Sequence, residues 1–176
     1  MLLLLVRQLP GPGQDDQRGR GESEPAEPER RAHPRLPAGR YGGHGSLPDG
    51  PVRFAFNADW RNGMGSSIAL GISKLSPPLD GAAIVPGDMP FLSPGLIETL
   101  TSKFEEFGGK PIVFPTTLSG RQRNPVIWPR RFFGLLEGLN GQDGGKKLLM
   151  ELTESCAPIA IADERQLLDI DEPCVP

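Results

Sequence analysis

The chain has 176 residues, with 19 Lys and Arg against 22 Asp and Glu, for a formal net charge of −3. That length suits one domain, and the charge balance argues against a general binder of nucleic acid or of an anionic membrane. Gly (23) and Pro (20) are abundant and aromatics make only 6%, a composition at the edge of low-complexity chains, while Cys156 and Cys174 are too few for a disulfide framework and read as reduced thiols of a cytosolic protein.

The apolar opening Met1 to Val6 falls short of the roughly 7–15 residues of a signal-peptide h-region and follows no basic segment. It is far below the roughly 18–20 residues that span a bilayer, so a soluble, cytoplasmic protein is expected. From about residue 7 to 50 the text is rich in Arg, Pro and Gly and contains no Lys, Phe, Ile or Trp. Such a segment buries too little apolar surface to offset chain entropy. The expected division is therefore a disordered or irregular segment, 1–50, and a folded domain, 51–176.

Within that domain Val52–Phe56 alternates and predicts a short strand. Asn57–Gly65 is a polar loop punctuated by glycine, after which Ser66 or Ser67 can cap a helix running to about Leu75. Gly81–Pro86 is a short apolar run of the kind found in buried parallel strands. Ser93 and Pro94 fit the N-cap and first position of a helix to about Phe107. Strands are expected at 112–115 and 124–128, helices at 129–139 and 146–154, and a last strand at 158–161, with Leu167–Asp171 closing the pattern. This alternation predicts an α/β fold, a Rossmann-like and mostly parallel sheet with helices on both faces. Ligands bind beyond the carboxyl ends of such strands, which directs attention to the loops at 57–65, 86–90, 116–124 and 169–173.

Each loop fits two roles. Asp88, in Gly87-Asp88-Met89-Pro90, suits a Mg²⁺ ion completed by substrate phosphates, or an Asx turn before the next helix. Asn57, Gly63, Ser66 and Ser67 suit an anion at a helix start, or an ordinary capped loop. Arg121 and Arg123, with Asn124 and Pro125, suit bidentate phosphate recognition, or a hairpin-like turn with solvated arginines. Gly144 and Gly145 permit close backbone approach, and Lys146 beside them is either a phosphate ligand or solvated. Asp169, Asp171 and Glu172 are metal ligands or caps. His33 and His44 lie in the front segment, and no histidine follows. Histidine-based triads and zinc sites are thereby excluded from 51–176.

In order and spacing, Asn57-Ala58-Asp59-Trp60, Gly63-Met64-Gly65-Ser66-Ser67, Pro86-Gly87-Asp88-Met89-Pro90-Phe91, Gly120 to Val126, Gly144-Gly145-Lys146 and Leu168 to Pro173 resemble the MobA-like nucleotidyltransferase family. They are most similar to its molybdenum cofactor cytidylyltransferases. The resemblance covers about residues 51–175. It implies a nucleotide-diphosphate transferase fold in which a molybdopterin phosphate attacks the α-phosphate of CTP and pyrophosphate leaves. It implies that Asp88 holds Mg²⁺, with Asp169 and Asp171 as further acidic ligands, and that Asn57 to Ser67 and Arg121 to Pro125 line the nucleotide and pterin sides of a cleft. Gly87, Gly144, Gly145 and Lys146 would complete the binding loops, and a molybdenum hydroxylase would be the recipient of the product.

Two departures stand out. Gln142 takes the place of an expected Asp, and the family's opening G-x-S-x-R-M-G-x-x-K loop has no counterpart in this sequence. The expectation is an incomplete domain of impaired activity, behind either a frameshifted start or a genuine shortened front. A guanylyltransferase of the same family and a non-catalytic molybdopterin- or partner-binding relative are the alternatives. The second of these matches the missing loop.

Overall fold

A computed structural model describes residues 2–7, 55–76, 79–142 and 144–170. The part of the expected strand at 52–54, as well as Asp143, Asp171, Glu172, Cys174 and both histidines, lies outside the described residues.

Five strands make one sheet: β1 (Leu2–Arg7), β2 (Gly81–Pro86), β3 (Ile112–Thr116), β4 (Val126–Pro129) and β5 (Cys156–Ala160), in the order β1-β2-β4-β3-β5. Four α-helices accompany them: α1 (Met64–Ser73), α2 (Pro94–Glu106), α3 (Phe133–Glu137) and α4 (Lys146–Glu151). The α/β class and the helices match the expectation, but the sheet is mixed rather than mostly parallel. Only β3 and β5 pair in parallel, and the other three neighbours are antiparallel. The reason lies in the connection from β3 to β4. Residues 117–125 carry no crossover helix, and without one a chain returns antiparallel.

The outer side of β2 is taken by β1, whose register runs from Leu2 opposite Pro86 to Arg7 opposite Gly81. The opening apolar run is thus an edge strand, whereas the irregular segment was expected to start at residue 1. Ala55 and Phe56 belong to no strand, and Phe56 is exposed.

Both faces of β2, β3 and β4 are buried, and the strand period of two divides the core cleanly. Ala82 and Ile84 of β2, with Val126 and Trp128 of β4, point to one face. There they meet Ile68 and Ile72 of α1 and Leu136 of α3. Ala83, Val85, Val113 and Ile127 point to the other, against Leu96, Leu100 and Phe104 of α2. Those three residues recur every four positions, which is why one stripe of α2 is dry. Each fully buried Leu, Ile or Phe contributes about 1.5–3 kcal/mol.

The helix ends have local causes. Ser93 is extended and its Oγ accepts the Leu96 amide at 3.2 Å, with Pro94 following at the first turn. Gly108 and Gly109 stop α2 in left-handed conformations, and the Gly109 amide donates to the Phe104 carbonyl at 2.9 Å. The expected helix at 129–139 is a 3₁₀ turn, Arg130–Phe132, followed by α3, and α4 ends at Glu151 ahead of another such turn. Among the described residues, no helix is long and apolar enough to cross a membrane.

The directions of pairing make β2, β3 and β5 run the same way. Their carboxyl ends therefore open onto one edge of the sheet, where residues 87–90, 117–125 and 161–170 are found.

Candidate functional site

At that edge lies a cleft of about 460 Å³. Arg121, Arg123 and Asn124 reach it from the loop before β4, Gly144 and Lys146 from the start of α4, and Asp169 from the last described segment. Six of the residues singled out in the sequence thus converge from three separate loops. Met64, Ile84, Val126, Trp128 and Leu149 supply the apolar part of its wall. Trp128 is almost wholly buried and meets Phe132 edge to face, with centroids 6.3 Å apart. That contact fixes the plane of the indole at the back of the cleft.

The cationic loop is shaped by its own backbone. The Thr117 amide donates to the Arg121 carbonyl at 3.0 Å, and the Gly120 amide to the Thr117 carbonyl at 2.9 Å. The Thr117 hydroxyl accepts the Arg121 amide at 3.0 Å. The Arg123 amide donates to the Pro115 carbonyl at 2.9 Å, and Leu118 N–H donates to Glu164 at 2.8 Å. Arg123 Nη1 faces Asp169 Oδ1 at 3.7 Å, and both side chains are largely shielded from solvent. Arg123 Nε is closed off from solvent and has no hydrogen-bond partner among the described residues.

Asp88 sits in the exposed turn after β2. Its carbonyl accepts the Ile170 amide at 3.0 Å, which ties this turn to the segment that carries Asp169. Gly87 lies exposed in the same turn. The donor set around Asp88 is sparse. Among the described residues, no three His, Cys, Asp or Glu side chains gather as a metal cluster. A lone carboxylate of this kind fits Mg²⁺, which is held by one or two carboxylates plus substrate phosphates and waters. Asp169, expected as a further metal ligand, faces Arg123.

The Asn57 loop is self-contained. Asn57 Nδ2 donates to Ser66 Oγ and Ser67 Oγ, both at 2.9 Å, while Asn57 Oδ1 accepts the Asp59 amide at 2.9 Å. Ser66 Oγ also donates to the Gly63 carbonyl at 2.8 Å. These hydroxyls therefore brace the loop, and the group that enters the cleft from it is Met64. Gly63 has φ 103°, and a Cβ there would lie 2.3 Å from the Gly141 carbonyl oxygen. The Gly65 amide donates to that same oxygen at 3.0 Å. Gly63 thus joins the Asn57 loop to the loop before α4, because only glycine fits so close an approach. Gly145 caps α4 in the left-handed region against Trp128, and Pro125 is buried between the cationic loop and β4.

Met64, Ile84, Gln122, Val126, Trp128 and Leu149 also line the cleft and were not among the expected site residues. The apolar members look like core residues in a linear text, and only the tertiary fold brings them to the cleft. Elsewhere, Arg165 hydrogen-bonded to Asp163 holds that exposed carboxyl below the usual carboxylate range. Burial pushes the Cys156 thiol up.

Comparison with protein families matches residues 33–156 to the MobA-like NTP transferase domain. The match covers more than half of the chain and starts ahead of the boundary expected at residue 51. Comparison with curated proteins gives no match.

Proposed function

Because the chain belongs to the MobA-like NTP transferase family, we propose that its nucleotidyltransferase domain moves CMP from CTP to the phosphate of molybdopterin cofactor, releasing pyrophosphate. The observation that carries this reading is the two-sided cleft. Arg121, Arg123 and Lys146 share it with the partly exposed apolar side chains of Met64 and Leu149, a combination suited to a phosphorylated heteroaromatic molecule. The arginines can grip phosphoryl oxygens in pairs, the lysine acts as a mobile point charge, and Met64 and Leu149 offer apolar contact to a planar ring.

Asp88 is the residue for Mg²⁺ in this reading. A Mg²⁺ ion held there would supply positive charge to offset what develops on the phosphates during transfer. The protein's own part is orientation. The Gly63–Gly141 junction fixes the two loops beside the cleft, and the Ile170–Asp88 hydrogen bond holds the acidic turn against the segment bearing Asp169. The setting proposed is the cytoplasm, with a molybdenum hydroxylase as recipient.

A second reading, molybdopterin binding without transfer, draws on one observation: Asp169 is paired with Arg123 rather than set beside Asp88 as a second free carboxylate. Pyrophosphate release from CTP and from GTP, with Mg²⁺ and molybdopterin, separates these cases. Turnover with CTP that disappears in Asp88→Ala supports cytidylyl transfer, and turnover with GTP alone makes the protein a guanylyltransferase. Pterin binding without release of pyrophosphate supports the binding reading.

A further inference from the structure

Arg123 is held in an arrangement that satisfies neither partner. Its distance to Asp169, 3.7 Å, is well beyond the roughly 2.7–2.9 Å of a charge-assisted hydrogen bond. The contact is therefore coulombic attraction without a shared proton. Meanwhile Nε–H, one of the five donors of the guanidinium fork, is shut away from water with no acceptor. A donor left in that state costs about 1–3 kcal/mol. Two observations thus agree that this pose is not the best one available to the side chain.

The backbone, by contrast, is fixed. The Arg123 amide is bonded to Pro115 at the end of β3, so only the side chain is free to turn. Asp169 is equally placed by its neighbour, since Ile170 N–H is bonded to the Asp88 carbonyl. Both groups line the cleft, and an oxyanion entering it would offer Arg123 what Asp169 does not: two oxygens in line with the fork.

We propose that Asp169 is a placeholder for a phosphoryl group. Its carboxylate occupies the attention of Arg123 in the empty cleft, and a doubly charged phosphoryl oxyanion displaces it, turning the guanidinium so that Nε–H and Nη–H grip the ligand together. Asp169 is then a positioning residue that sets the affinity of the site, and not a metal ligand. The inference deepens the reading of the cleft as a phosphate site, yet it holds whether or not nucleotidyl transfer occurs.

Removing a placeholder strengthens binding, the opposite of removing a ligand-holding residue. The test is titration calorimetry of the full chain in EDTA, with pyrophosphate and, separately, phenyl phosphate as probes. Asp169→Asn is expected to tighten binding of at least one probe by about three- to fivefold, the range of a partly screened charge pair. The probe that responds tells whether the phosphoryl group is that of a nucleotide or of a monoester acceptor. Arg123→Gln is expected to weaken the same probe by about fivefold or more and to cancel the effect of Asp169→Asn. Glu98→Gln, which removes the same charge from an exposed position on α2, should leave affinity unchanged.

Equal tightening by Glu98→Gln, or unchanged or weaker binding in Asp169→Asn, would overturn the proposal. Nitrogen NMR of the unmodified protein gives an answer even should a variant fail to fold. The Arg123 Nε–H resonance must shift on saturation with the responding probe, and a resonance that stays in place overturns the proposal. Because no nucleotide is present, a positive result here beside failed pyrophosphate release would reject the transferase reading alone.

Discussion

Two loops reach the same cleft with opposite bonding. In the loop from Asn57 to Gly65 the polar groups answer one another: one carboxamide holds two hydroxyls, and Gly63 presses on Gly141 with no room for a methyl. Around Arg123 the charges are only loosely matched, and a donor is left without an acceptor. A region whose hydrogen bonds are closed internally has little left for a ligand and acts as a frame. One with unmet donors has the most to gain when a ligand arrives. The comparison therefore assigns stability to the first loop and binding to the second.

Substitutions can break that division. Gly63→Ala should have the largest effect, a loss on the order of 3 kcal/mol, because it adds both backbone strain and a clash with main-chain atoms. Urea denaturation measures it, and a variant as stable as the parent would remove the junction from the argument. Asn57→Ala comes next. Losing its bonds to Ser66, Ser67 and Asp59 should cost about 1–2 kcal/mol in the same experiment.

On the other side of the cleft the pattern should invert. Arg121→Gln combined with Lys146→Gln is expected to change stability by less than about 0.5 kcal/mol, while pyrophosphate affinity falls severalfold. A double variant that unfolds readily but binds normally would reverse the assignment. The smallest effect concerns Cys156, which lies away from both loops. Burial raises its pKa, so less thiolate is present at any given pH below that value. Alkylation at pH 8 should be slower in the native protein than in urea, and equal rates would show that the thiol is not shielded.

Much of the framework could be read in advance because its signals are local. Ser93-Pro94 caps α2, and the apolar run Gly81–Pro86 is a strand. Strand direction was not legible, since it depends on what lies between β3 and β4 rather than on either strand. Nor was β1, whose partner lies beyond residue 80 and whose short leucine run has no periodicity to set it apart. For the site, side chains with evident chemistry were found by type: Arg121, Arg123, Asn124, Lys146 and Asp169 do share one cleft. The wall facing them was not, because a Trp, Leu or Met that lines a cleft is written just as one in the core. The pairing of Asp169 with Arg123 is a tertiary fact with no trace in spacing.

The edge strand β1 also imposes an order in time. Its residues leave the ribosome before β2 and β4 exist, and they are an almost unbroken run of leucines. Until Gly81–Pro86 follows, that run has no place in the sheet, and closing so long a loop is slow compared with forming the local helices. During synthesis the protein thus carries an unpaired, sticky strand ahead of its partner. How quickly the rest of the chain is made, as much as how well it packs, sets how much of it reaches the folded state.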